Sequence, residues 1–468
     1  MHATPWLQKV CDHVKACAIW LAASRFRQPR PGMRNLASST SCSAGPHSTQ
    51  LPAMRLLHTT THQLKSFGKC NRPPYAILSH TWGPEGSELL YEHVRNLRPG
   101  ALREKVEAPG VAKVVGACDL AKENGFEYVW IDSCCIDKTS SAELSEAINS
   151  MFEWYGRSAV CYVYLADVER GEEGRSIVDS RWFQRGWTLQ ELIAPSAVLF
   201  LSSSWELLGS RKELAADITA TTRIGTDLLD RHLINDIGDE ASRVLAVQST
   251  LRAFSVATRM SWAAHRQTTR DEDAAYCLLG LFGVNMPLLY GEGGKSAFVR
   301  LQREIVQRIS DDQSILAWDP VAPSIFGRMG FIFGTSPRGF AQVEDLSVFP
   351  RPKLSRGMTL TGSGLQLDVL LGRLVGSSFA IGRKPRAGCR DWTTCFFGCD
   401  RYVAVLSFSR SDDFLAQPAI ILEERSAQGK KIYVKLVDGI VWLRPCKLSG
   451  ALSMEFSKGS PFKTLDSK

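Results

Sequence analysis

Three groups of side chains in the first half of the chain could do chemistry. Ser79 and His80 follow the short apolar run that begins at Tyr75, with Trp82 two residues on. Asp132 closes a second apolar run, Tyr128–Asp132, and leads into Ser133, Cys134 and Cys135. Trp187 and Glu191 stand four residues apart, so a helix would place both on one face. An indole beside a carboxylate gives a stacking surface next to an acid. Each group also has a structural reading. His80 could be a buried, hydrogen-bonded histidine, Asp132 the cap of a turn and Trp187 a core residue. Glu191 could pair with Arg185 or Arg181. Cys135 has no sequence-adjacent base, which argues against a nucleophile.

Elements to position these groups alternate along the chain. Strands are expected at Tyr75–Ser79, Tyr128–Asp132, Val160–Leu165 and Val198–Leu201. Between them, helices are expected at Val111–Asn124, ended by Gly125, at Ser140–Tyr155, opened by a Ser140/Glu143 capping box, and at Arg181–Ile193, ended by Pro195. Short apolar strands alternating with helices imply an α/β fold with a parallel, doubly wound sheet. Sites in such sheets form at the carboxyl ends of strands, where His80 and Asp132 fall. Helical spacing then runs through Glu206–Ile218, Ala241–Arg266, Asp271–Leu281 and Lys295–Ile309. Past about Asp319, Gly and Pro punctuate short runs such as Leu365–Leu371 and Tyr402–Phe408, the pattern of a β-rich C-terminal region. The expected organisation is an extension over 1–53, an α/β domain over 54–204, a helical extension over 205–318 and a β-rich region over 319–468.

Composition narrows the function classes. The chain has 468 residues, 44% hydrophobic and 22% charged, as expected of a globular protein with a real core. Of its net charge of +8, the extension supplies a large part, with Lys9, Lys15, Arg25, Arg27, Arg30 and Arg34 against Asp12. The rest is weakly basic and has no aromatic-interleaved basic stripe, which argues against nucleic acid. No run reaches the roughly 18 apolar residues of a membrane span. The thirteen cysteines show no chelating spacing, so no metal is expected and reduced thiols in the cytoplasm are. The extension reads as disordered or misassigned, because Met54 opens the strand-like phrase MRLLHTTTHQL. Two decoys fail. Gly291-Glu-Gly-Gly-Lys295-Ser296 lacks the first glycine of a phosphate loop, where Leu289 stands, and follows helical sequence. Asp271, Glu272 and Asp273 fit the first turn of a helix, where its dipole favours acids.

The blocks around these residues resemble the fungal heterokaryon incompatibility (HET) domain family. They are Tyr75-Ala-Ile-Leu-Ser79-His80-Thr-Trp82-Gly83, Trp130-Ile-Asp132-Ser-Cys-Cys135-Ile-Asp137-Lys138 and Arg185-Gly-Trp187-Thr-Leu-Gln190-Glu191-Leu192. Lys138 departs from the glutamine usual there. The resemblance implies a role in non-self recognition and cell death, with self-association or another incompatibility protein as partner. HET domains in turn resemble Toll/interleukin-receptor (TIR) domains, which implies a flavodoxin-like sheet. In enzymatic TIR members the glutamate of a Trp-Cys-x-x-Glu-Leu helix serves NAD cleavage, and Trp187-Thr-Leu-Gln-Glu191-Leu192 matches that phrase with Thr188 replacing the cysteine. That likeness makes Glu191 the candidate catalytic residue and Ser79, His80, Trp82, Asp132 and Trp187 candidates for holding NAD as substrate, with no resident cofactor. A non-catalytic module acting by self-assembly is the alternative.

Overall fold

The computed structural model describes residues 54–68, 71–169, 176–230, 240–318 and 332–343, and shorter stretches between 346 and 463. The extension over 1–53 and the group Cys389, Cys395, Cys399 lie outside the described residues. The chain divides into two compact units. The first runs through Ala147 and adds Arg157–Arg175 and Pro195–Arg211. The second takes Ile148–Gly156, Ser176–Ala194 and everything from Lys212 on.

In the first unit a seven-stranded sheet stands in the order β2-β1-β4-β3-β5-β6-β7. The strands are β1 (Met54–His58), β2 (Leu64–Phe67), β3 (Ala76–His80), β4 (Tyr128–Trp130), β5 (Val160–Tyr164), β6 (Val198–Leu201) and β7 (Leu207–Ser210). The α/β class is as expected, but the sheet is not parallel throughout. The four central strands pair in parallel. The β1–β2 hairpin on one side and β7 on the other run antiparallel. Chain geometry explains the edges. Only five residues join β1 to β2 and β6 to β7, enough for a hairpin and too few for a parallel crossover.

The segment 206–218, expected to be helical, therefore begins as strand β7. It turns at Trp205, whose φ of +64° is left-handed, and only Ala215–Thr222 is helical. Pairing with β6 overrides the helical spacing of Glu206–Ser210. Every residue of β3 and β4 is buried, as parallel strands covered on both faces should be. Tyr75, Trp130 and Tyr162 fill that core, each fully buried side chain contributing roughly 1.5–3 kcal/mol.

Among the parallel strands, β4 lies to one side of β3, and β5 and β6 lie to the other. The chain thus reverses its direction of winding between β3 and β5, the kind of point at whose carboxyl ends doubly wound sheets bind ligands. His80 and Tyr164 are paired in register there.

Two helices follow in this stretch of sequence. Helix α1 (Pro109–Glu123) has Pro at its first turn and ends at Asn124, with Gly125 at φ +83° beyond it. Helix α2 (Ser141–Arg157) starts where Ser140 Oγ accepts from Glu143 N at 3.3 Å. Only half of the expected capping box forms. The Glu143 carboxylate turns to Arg55 and to the backbone N–H of Asp137.

In the second unit the expected helix 181–193 is broken. A 3₁₀ turn spans Arg181–Gln184, and helix α3 spans Thr188–Ile193. Arg185 bridges to Gln267, Gly186 N donates to Gln267 O at 2.8 Å, and a Cβ on Gly186 would lie 2.6 Å from Thr268 Cγ2. That docking replaces the helical bonds at the break. The run 241–266 is likewise two helices, Glu240–Arg252 and Val256–Ser261, because Ser255 Oγ caps Thr258 N at 3.1 Å and starts a new one. Asp271–Leu281 holds two short helices, Asp273–Tyr276 and Leu279–Phe282. Helix α4 (Gly294–Arg308) matches its expected span within a residue at each end. Farther on, Gln417–Ala427 pairs antiparallel with Arg401–Val405 and with Lys430–Lys435.

Candidate functional site

The first unit gathers four side chains at the carboxyl ends of β3 and β4. Asp132, two residues past β4, caps no turn; its oxygens take side-chain donors. His80 Nε2 lies 2.9 Å from Asp132 Oδ1. Trp82 Nε1 donates to Oδ2 at 3.0 Å, and Lys138 Nζ donates to the same oxygen at 3.1 Å. Lys138 Nζ also stands 3.6 Å from the centroid of the Trp82 ring.

Electrostatics fix the protonation states. Burial alone would raise the Asp132 carboxyl, but the Lys138 ammonium and the His80 hydrogen bond outweigh it and hold it well below the usual carboxylate range. An ionised carboxylate can only accept, so His80 Nε2 carries the proton in this contact. His80 Nδ1 is then buried and has no hydrogen-bond partner. The His80 side chain is 1% exposed, whereas Asp132 is 25% and Lys138 30% exposed, so solutes reach the carboxylate and the ammonium but not the imidazole. Ser79 is fully buried. As the neighbour of His80 in β3, it points to the opposite face of the sheet.

The loops that carry these groups are anchored. After β3, Gly83 N donates to Glu88 Oε1 at 2.7 Å, and Lys113 of α1 donates to that oxygen at 2.5 Å. Gly110 admits the contact, since a Cβ there would lie 2.1 Å from Ser87 O. After Asp132, Arg55 of β1 pairs with Glu143 and donates to Cys135 O, while Asp137 Oδ1 accepts from Thr139 N at 3.0 Å in a tight turn. That turn aims Lys138 back at Asp132. The sequence had marked Lys138 only as a departure from its block. Its role has no periodic signal, since it depends on the turn.

The second unit holds Trp187 and Glu191. Trp187 Nε1 donates to Asp273 Oδ2 at 3.2 Å, and Tyr290 Oη donates to Asp273 Oδ1 at 2.9 Å. Burial raises the Asp273 carboxyl, and these two bonds oppose the rise. Glu191 is 7% exposed on α3. Arg266 anchors the start of α3, its Nη1 donating to Arg185 O and Thr188 Oγ1, each at 2.9 Å. Burial pushes the Arg266 guanidinium down to about 10, and the charges of Cys277 and Glu191 act against that fall. Asp273 and Arg266 escaped sequence reasoning, because no short-range pattern joins them to block three.

The decoys resolve too. Glu272, one of the acids assigned to a helix dipole, accepts from Gly291 N at 2.8 Å and from Gly293 N at 3.1 Å. The amides of the phosphate-loop look-alike are thus taken by a carboxylate of the chain itself. Among the described residues no group of three or more His, Cys, Asp and Glu could hold a metal, and Cys118, Cys134, Cys135 and Cys277 are free thiols and buried.

Residues 75–175 match the family model of the heterokaryon incompatibility protein (HET). Over those residues the chain is similar to a HET domain. The matched stretch holds the His80–Asp132–Lys138 cluster and stops short of Trp187 and Glu191. The chain is similar to the vegetative incompatibility protein HET-E-1 of Podospora anserina, with 44% identity over 241 residues. Those residues are 50% of this chain and 16% of that protein, so the chain spans a small part of its relative's length. A second model, a domain of unknown function (DUF8212), matches residues 296–329 and takes in most of α4. No solved structure matches. No described helix is long and apolar enough to cross a membrane.

Proposed function

We propose that this protein acts in heterokaryon incompatibility, in fungal non-self recognition leading to cell death, and that it does so by cleaving NAD at Glu191. The observation that carries the role is the 44% identity to a vegetative incompatibility protein. The partner in this reading is another incompatibility protein or a second copy of the chain, and the place of action is the cytoplasm.

The chemical part is supported by the setting of Glu191. Breaking the nicotinamide–ribose bond passes through an oxocarbenium-like state, which one fixed carboxylate can stabilise. Glu191 is held on a short helix whose start is anchored by Arg266. Trp187, in the same block, has its ring fixed by Asp273. Nicotinamide leaves as a neutral molecule from a nitrogen that is already cationic, so no general acid is required, and water then bonds to the ribosyl carbon and releases a proton to give the hydrolysed product.

The burial of Glu191 favours a second reading, in which the domain acts by self-assembly without turnover. The full chain, free and clustered on beads, is incubated with NAD and nicotinamide release is followed, with Glu191→Gln and Glu191→Ala alongside. Release by the parent chain that is lost in both variants is the expected result. Absence of release under clustering, or full release by Glu191→Ala, overturns the enzymatic reading. Cell death in a fungal host that survives Glu191→Ala then supports assembly.

A further inference from the structure

Lys138 makes two contacts with one ammonium. It stands over the face of Trp82 at 3.6 Å and donates to Asp132 Oδ2 at 3.1 Å. The Trp82 indole is locked in orientation because its own Nε1 donates to the same carboxylate oxygen at 3.0 Å. His80, bonded to the other oxygen, locks the carboxylate in turn. An aromatic face beside an ionised carboxylate, both oriented by fixed hydrogen bonds, is complementary to a cation. The surroundings fit this use. Asp132 and Lys138 are a quarter to a third exposed, and Trp82 is half-buried, so the pair opens to solvent. It lies at the carboxyl end of β3, beside the point where the winding of the sheet reverses.

We propose that Trp82 and Asp132 form a recognition cage for an organic cation, of the pyridinium or quaternary ammonium class, and that Lys138 occupies this cage as a built-in competitor. The ammonium is tethered by a flexible four-carbon stem on a surface turn and can swing away without disturbing the sheet. A ligand cation must displace it, so occupancy by Lys138 sets the apparent affinity. If the ammonium fills the cage nine-tenths of the time, external affinity falls about tenfold. The inference concerns binding alone and stands whether or not Glu191 cleaves NAD.

The test is a titration of the full chain with 1-methylnicotinamide, a permanent pyridinium cation, and with tetramethylammonium. Neutral nicotinamide is the control. Binding is read from the indole N–H resonance of Trp82, identified as the signal that disappears in Trp82→Phe. Lys138→Gln is expected to lower the midpoint for both cations about tenfold and to leave neutral nicotinamide without effect. Lys138→Arg, which refills the cage with a guanidinium, should stay as weak as the parent. Asp132→Asn should lose cation binding while the other indole signals keep their positions. An unchanged midpoint in Lys138→Gln overturns the proposal. So does an equal response to neutral nicotinamide, or an Arg variant that opens as the Gln variant does.

Discussion

The Trp187 indole donates to the Asp273 carboxylate at 3.2 Å across a sequence separation of 86 residues. A second donor, Tyr290 Oη, takes the other oxygen. The acid that orients the signature tryptophan of block three therefore comes from the helical segment that follows the sheet in sequence.

Removing that acid has a calculable cost. Asp273→Ala leaves the Trp187 and Tyr290 donors without their acceptor and should lower unfolding free energy by about 1–3 kcal/mol per orphaned group. Asp273→Asn, which keeps one acceptor, should cost less. Urea unfolding followed by tryptophan fluorescence reads both, and an Asp273→Ala protein as stable as the parent rules out the hydrogen-bonded pair. The Asp273 carboxyl is raised by burial, so the folded state holds its proton more tightly than the unfolded chain. Its contribution to stability is therefore greatest at acid pH and declines as pH rises through the folded value. Asp273→Asn should remove that decline.

Asp132 shifts the opposite way. Its folded value lies below that of the unfolded chain, so its stabilisation is complete above about pH 4 and is lost as pH falls further. Between pH 7 and pH 3 the urea midpoint of the parent should drop more than that of Asp132→Asn. Equal drops would mean that the Lys138 and His80 contacts carry no net stability.

Gly186 sits at the break in the expected helix 181–193. Alanine favours helix over glycine by about 1 kcal/mol, so propensity alone predicts that Gly186→Ala stabilises. Packing predicts the reverse, because the added Cβ would lie 2.6 Å from Thr268 Cγ2 and 3.1 Å from Cys277 Sγ. A net loss of about 1–3 kcal/mol is expected from the overpacking. Calorimetry decides, and a rise in Tm would show that the close contact relaxes freely.

Cys118 and Cys134 are fully buried, and Cys277 nearly so, and burial pushes the Cys118 and Cys277 thiols up; the neighbouring Cys135 thiol acts together with burial on Cys134. Thiolate is the reactive form, so these three should resist iodoacetamide in the native protein and label fully in denaturant. Peptide mapping by mass spectrometry separates them from the other cysteines. Rapid native labelling at Cys134 would contradict its burial.

Much of the first unit was legible in the residues. Short apolar runs bounded by Gly and Pro located the four central strands within two residues at each end, because parallel strands buried on both faces leave a continuous apolar signature. Strand ends placed His80 and Asp132 at the carboxyl rim of the sheet. What local pattern could not reveal was decided by partners distant in sequence. The helix expected at Glu206–Ile218 became in part β7, because an edge of β6 needed its backbone bonds satisfied. The helix 181–193 broke at Gly186 because Gln267 offered its own backbone.

The sequence by itself determined the α/β class, the central strands, the HET blocks and the rim residues His80 and Asp132. Apolar periodicity and block spacing are local properties, and these features depend on nothing else. Tertiary structure alone decided that Asp132 gathers three donors, that Lys138 fills the face of Trp82, that Asp273 holds Trp187 and that Arg266 anchors the start of the helix carrying Glu191. Those relationships are set by hydrogen bonds and charges acting over a few ångströms between segments up to 86 residues apart, and such proximity exists only after the chain has folded.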